Sequence, residues 1–231
     1  MRAYIVELGE MAYLEALSWQ QIAHEQVSRH GADPVLFCVE HPPVLTSGKH
    51  AAETDLLVSH DQLAREGISL EQVERGGKIT AHMPGQLVVY PILPLSRMRL
   101  SVRQYICSLE GAMIKTLAAF SIEAARHPEY PGVWWQGQKM GAVGVRIHNR
   151  VSLHGISLNV NNSLGLFHKI VPCGIKGNAV CNMAAALPSD IHVQEVKTLL
   201  IRELAAHLQL LTGASMNVEE WQERVYSGST E

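Results

Sequence analysis

The chain has 231 residues, 47% hydrophobic and 18% charged, with a formal net charge of −3. That composition excludes disordered, coiled-coil and collagen-like chains, and the length suffices for one substantial core that buries roughly 70% of the surface exposed on unfolding. A single domain over residues 1–231 is expected, and a slightly negative chain feels no global pull toward nucleic acid, so none is expected as a partner.

Met1 to Glu7 reaches an acidic residue before an apolar run of signal-peptide length can develop, so a secreted location is not expected and a cytoplasmic one is. Residues 10–30 read as a helix ending in Arg29, His30 and Gly31, although its periodicity is noisy. Val35 to Val39, between Pro34 and Pro42, suits a buried strand, and Thr46 to Lys49 reads as a loop. The longest uncharged stretch, Ile79 to Ser96, is interrupted by His82, Pro84, Gly85, Gln86, Pro91 and Pro94, which excludes a spanning helix; no membrane partner is expected. Leu87 to Leu93 reads as a strand.

The clearest helix starts at Ser101, with Gln104 completing a capping box and Val102, Tyr105, Ile106, Leu109, Met113, Leu117 and Phe120 on one stripe. Val133 to Trp135 and Lys139 to Ile147 flank Gln136-Gly137 as a hairpin, and Val151 to Val160 supplies the next strand. A last helix is expected from Asp190, carrying Val193, Val196, Leu200, Leu204, Leu208 and Leu211. Helices at both ends and in the middle, around a run of antiparallel strands, give an α/β fold of the α+β, mixed-sheet kind. Cys38, Cys107, Cys173 and Cys181 lack metal-site spacing and read as free thiols.

Three segments are dense in glycine and polar groups. In Arg75-Gly76-Gly77-Lys78-Ile79-Thr80-Ala81-His82, continuing to Gln86, paired glycines let a ligand approach the main chain while Arg75, Thr80, His82 and Gln86 add polar groups. A glycine turn leading into a strand is the bland alternative for each residue alone. In Gln138 to Val145, strand alternation puts Lys139 on the face of Val143, Val145 and Ile147, at the rim of an apolar surface; a snorkelling surface lysine is the alternative. The third comprises His154 to Val160 and Ile170 to Ile175, in which Cys173 sits between Pro172 and Gly174. A thiol there could be presented at a loop tip and activated by a nearby lysine, against the commoner case of a buried spectator.

Together these segments, with Tyr90-Pro91 and Gly132-Val133, resemble the lipoate-protein ligase B family of octanoyl-[acyl carrier protein]:protein N-octanoyltransferases, in order and in spacing over most of the chain. Ala81 stands where that family usually has an aromatic residue and Met83 where it usually has glycine. The resemblance implies a biotin/lipoate protein ligase-like domain with a largely antiparallel sheet covered by helices. It implies Cys173 as acyl-thioester nucleophile and Lys139 as the partner that lowers its pKa. It implies substrate contacts at Arg75, Gly76, Gly77, Lys78, Ile79, Thr80, Ala81 and His82, at Ala142, Val143 and Gly144, and at Gly155, Ile156 and Ser157.

Its implied partners are octanoyl-acyl carrier protein as donor, with lipoyl domains of 2-oxoacid dehydrogenase complexes and the glycine cleavage H protein as acceptors. No cofactor and no metal are expected. Arg146, His148 and Arg150, or Arg97, Arg99 and Arg103, are candidate docking patches for such acidic partners. The rivals are an ATP-dependent lipoate or biotin-type ligase, against which no P-loop or GRGRRG-like loop occurs, a lipoyl amidotransferase, a zinc hydrolase built on His82, His154 and Cys173, and a non-catalytic acyl-binding module.

Overall fold

A computed structural model describes residues 1–171 and 180–227. Its elements, in chain order, are β1 (Arg2–Glu10), α1 (Tyr13–Arg29), β2 (Val35–Glu40), β3 (Val44–Ser47), α2 (His60–Arg65), β4 (Ser69–Gln72), β5 (Ile79–His82), β6 (Gln86–Ile92), α3 (Val102–Ala119), β7 (Ala125–Arg126), β8 (Val133–Trp135), β9 (Gln138–His148), β10 (Val151–Asn159), α4 (Val193–Leu208), β11 (Leu211–Asn217) and α5 (Val218–Ser227). Eight strands form one sheet in the order β11-β1-β2-β6-β10-β9-β8-β7, and β4-β3-β5 form a small second sheet. The large sheet is mostly antiparallel; β1 is the exception, running parallel to both β2 and β11.

Strand alternation sends residues to two cores. Leu36, Cys38, Leu87 and Val89 face α3 and α4, whereas Val35, Phe37, Val39, Val88, Tyr90 and Ile92 face α1 and Trp221 of α5. On the first face α3 lays down Tyr105, Leu109, Met113 and Leu117, all fully buried, each contributing roughly 1.5–3 kcal/mol by leaving water. The expected capping box starts this helix: Ser101 Oγ accepts from Gln104 N at 3.2 Å and Gln104 Oε1 accepts from Ser101 N at 2.9 Å. Val102, expected on the stripe, stays exposed.

The β8–β9 hairpin is where the sequence put it, since Gln136 and Gly137 both take positive φ (48° and 78°) as a two-residue primed turn requires. Other expectations are corrected. Thr46 and Ser47 belong to β3 and not to a loop, because they pair with β4 and β5. The first element is a strand, not a helix. The last long helix starts at Val193 rather than Asp190, and Leu211 leaves it to enter β11, where it is 73% exposed. Among the described residues no helix is long and apolar enough to cross a membrane.

Candidate active site

The loop from Arg75 to Lys78 is pinned between the two sheets. Gly76 N donates to Val145 O of β9 at 3.0 Å, while Lys49 N and His50 N donate to Arg75 O and Gly77 O, each at 3.1 Å. Gly77 holds a φ of +84°, which glycine adopts without a Cβ penalty. This loop, β5, the middles of β9, β10 and β6, and the start of α1 enclose a cleft of about 500 Å3 including its mouth, within the usual range of small-molecule sites. Its backbone-rich wall requires Gly155, where a Cβ would collide with Val89 O of β6.

Thirteen of the fourteen contacts expected from the sequence line this cleft: Arg75 through Thr80 and His82 on one wall, Ala142 to Gly144 and Gly155 to Ser157 on the other. Ala81 does not line it. Its side chain turns the other way, into a cluster with Leu45, Ile79 and Phe167, and only its carbonyl reaches toward the site, accepting from Gln86 Nε2 at 3.2 Å.

The cleft holds a buried cation and several buried neutral rings. Arg75 is buried, its guanidinium donating to Thr46 O (2.6 Å), Thr46 Oγ1 (2.8 Å) and Gly76 O (3.0 Å). Burial, then the nearby positive charges of Arg75 and Arg146, hold His154 down to about 3, so it stays neutral near pH 7. Burial, then the His41 imidazole, does the same for His82, also to about 3. Burial alone brings His41 to about 4, against a hydrogen bond to Met11 O that works the other way. His154 reaches this side of the sheet because its φ is +57°, which turns the ring toward α1, where Tyr13 Oη lies 3.3 Å from Nδ1. Burial pushes the Tyr13 hydroxyl up to about 12, and Arg75 opposes the rise.

Tyr13, Val88, Tyr90 and His154 complete the lining. Tyr13 had no local signal in the sequence, because its partners are far away in the chain. Tyr90 Oη bonds His41 Nε2 at 2.8 Å, and His41 Nδ1 donates to Met11 O at 2.7 Å.

Lys139 lies on β9, three residues before the lining residue Ala142. It is 6% exposed rather than snorkelling, with Nζ 5.3 Å from the centre of the Trp134 ring. Cys173 lies outside the described residues. The residues on either side of its segment are both anchored beside the site. Val171 N donates to Asp55 O at 2.8 Å, and the Asp55 carboxylate pairs at 3.0 Å with Lys78 of the cleft. Val180 bridges Lys139, and Cys181 N donates to Lys139 O at 3.0 Å. Cys181 is buried, and burial pushes its thiol up to about 11; Cys38 is buried as well and Cys107 is exposed. Arg146, expected in a docking patch, pairs with Glu74. Among the described residues no three metal-ligating side chains converge.

The model of the lipoyl protein ligase A/B catalytic domain matches residues 12–205. An octanoyltransferase of Nitratidesulfovibrio vulgaris strain DP4 is 38% identical over 202 residues, covering 87% of this chain and 92% of its own. Among solved structures, lipoate-protein ligase A bound with ATP superposes with a TM-score of 0.77 at 17% identity, over 100% of this chain and 97% of that one. The biotin protein ligase of Aquifex aeolicus superposes more loosely, with a TM-score of 0.52 at 12% identity, over 90% and 70%. The mixed sheet flanked by helices is therefore the biotin/lipoate ligase architecture, and the chain belongs to the lipoyl protein ligase A/B catalytic-domain family.

Proposed function

We propose that this chain is an octanoyltransferase of protein lipoylation, carrying an octanoyl group from the thioester of acyl carrier protein to a lysine of a lipoyl domain through a thioester on Cys173. The observation that carries the mechanism is the anchoring of both flanks of the Cys173 segment beside the cleft, one on the backbone of Asp55, whose carboxylate pairs with Lys78, and the other on the backbone of Lys139.

The Cys173 thiol gives its proton to Lys139, and the thiolate attacks the donor carbonyl. The donor C–S bond breaks, and the carrier thiolate leaves with the proton that Lys139 held. The lipoyl lysine, as a neutral amine, then attacks the enzyme thioester. A C–N bond forms, the C–S bond to Cys173 breaks, and Lys139 passes the amine's proton to the departing sulfur. One thioester replaces another in the first half and an amide replaces a thioester in the second, so no nucleotide is consumed. The apolar stretch of the cleft, including Val88, Val143 and Ile156, takes the acyl tail, and the backbone N–H groups of Gly77 and Lys78 are the candidate oxyanion donors.

Acceptors are lipoyl domains, including those of 2-oxoacid dehydrogenase complexes and the glycine cleavage H protein. The test is octanoyl transfer from carrier protein to a lipoyl domain without ATP. Transfer that survives nucleotide removal and is lost in Cys173→Ala and Lys139→Ala is expected; strict dependence on ATP would overturn the proposal.

A further inference from the structure

A chain of buried amides runs from the cleft to the strand that carries Lys139, and its ends determine the direction of every hydrogen bond in it. At one end Cys181 O can only accept, so the Asn159 atom 2.9 Å away is Nδ2, and the Asn159 oxygen is left facing Gln86. Gln86 Nε2 donates to that oxygen at 2.8 Å and to Ala81 O, a second obligate acceptor, at 3.2 Å. The remaining atom of Gln86, Oε1, lies 2.7 Å from His82 Nδ1, which must therefore carry the proton. Gln86 and Asn159 are 1% and 5% exposed, so water does not compete for these groups. Cys181 N in turn donates to Lys139 O, which ties the relay to β9.

Nδ1 of a neutral imidazole being protonated, Nε2 is a bare lone pair. Among the described residues the fully enclosed side-chain polar atoms without a partner are Gln20 Nε2, Asn162 Oδ1 and Trp221 Nε1. His82 Nε2 is not one of them. It has no protein partner there, and its residue lines the cleft. Tyr13 stacks on the ring at 5.9 Å between centroids and His41 meets it edge-on at 5.6 Å, which holds the ring plane.

We infer that His82 presents Nε2 as a hydrogen-bond acceptor for the entering primary amine, and that Gln86 and Asn159 are positioning residues that hold it in this tautomer. The inference rests on the octanoyltransferase reading of the cleft. A lone pair repels a developing oxyanion, so His82 is no oxyanion donor. The acyl tail offers no donor. Of the two nucleophiles that carry one, the thiol is assigned to Lys139, which leaves the N–H of the acceptor lysine. A hydrogen bond to Nε2 aims the nitrogen lone pair at the acyl carbon. His82 takes no proton, and the proton lost by the amine still goes to sulfur through Lys139.

The tautomer is read directly by long-range proton–nitrogen correlation NMR of the His82 ring in the intact protein, expected to show Nδ1 protonated and Nε2 bare. Gln86→Met, similar in volume and only a weak acceptor through its sulfur, should release the ring to the Nε2–H form. In single-turnover experiments the loading of octanoyl from octanoyl carrier protein and its transfer to a lipoyl domain are timed separately. For Gln86→Met and His82→Leu the ratio of transfer to loading should fall about tenfold, the effect of losing one transition-state hydrogen bond. His82→Gln, which returns an amide oxygen near the Nε2 position, should recover part of it. A purely structural role would slow both steps alike or lower the melting temperature without changing the ratio, and that result overturns the inference, as does an Nε2–H signal in the wild type. A wild type that never acquires octanoyl overturns the octanoyltransferase reading and the amine role with it, while the NMR result separately decides the tautomer.

Discussion

The two faces of the large sheet are packed by different rules. Toward α3 and α4 the sheet meets a stripe of Tyr105, Leu109, Met113 and Leu117 from one helix and Val196, Leu200, Leu204 and Leu208 from the other, which interlock as a close-packed apolar layer. Toward α1 it meets Tyr13, Gln20 and His24 among the alanines, and each of these side chains bonds the sheet: Tyr13 to His154, Gln20 through Oε1 to the backbone N–H of His154 at 2.9 Å, with its Nε2 left without a partner among the described residues, and His24 to His148 O at 3.0 Å. The first face supplies stability. The second gives up apolar area to hold a cleft, and the neutral histidines, the buried arginine and the positive φ of His154 are all concentrated there.

Truncation on the α3 face should cost the most stability. Leu109→Ala is expected to destabilise by about 2–5 kcal/mol, through lost burial and the cavity left behind, while the folded fraction keeps its turnover. Denaturant unfolding alongside activity measured well below the melting point checks this; a selective loss of turnover would show that the two faces are not separable.

Acid should act through the α1 face. The imidazoles of His82 and His154 bind protons near 6.5 when unfolded but only at about 3 when folded. The unfolded chain therefore binds more protons throughout that window, and stability falls as pH drops from about 6.5 toward 3. Between pH 6.5 and 5 each should cost about 2 kcal/mol. A denaturation midpoint that stays flat over this range would contradict the buried neutral state of these rings.

The smallest stability change should accompany a clear change in rate. Tyr13→Phe removes one hydroxyl contact with His154 and should cost about 1 kcal/mol or less in stability, yet lower kcat/KM about tenfold, because the same hydroxyl borders the cleft. Equal kcat/KM in the two proteins would remove Tyr13 from the site.

The difference between the faces also explains what the sequence made legible. Regular apolar spacing announced α3, most of α4 and the strands β2, β6 and β10, because packing alone selects those residues. Helix α1 looked noisy for the reason that makes it useful, since its buried face carries Tyr13, Gln20 and His24. The glycine-rich walls of the cleft were readable as motifs, whereas Tyr13, Thr46 and His41 join them only through long-range contacts. Ala81 does not line the cleft with its neighbours because motif membership does not say where each side chain goes. Strands β1 and β11 escaped notice because β11 is largely exposed and neither presents the antiparallel hairpin signals that mark β8 to β10.

The most direct test of the acyl-enzyme is intact-protein mass spectrometry of wild type, Cys173→Ala and Lys139→Ala after mixing with octanoyl carrier protein in the absence of ATP. A single octanoyl adduct is expected on the wild type, absent from Cys173→Ala and slow to form on Lys139→Ala. A wild type that stays unmodified while transfer to a lipoyl domain proceeds, or an adduct that persists without Cys173, would contradict a thioester at that residue.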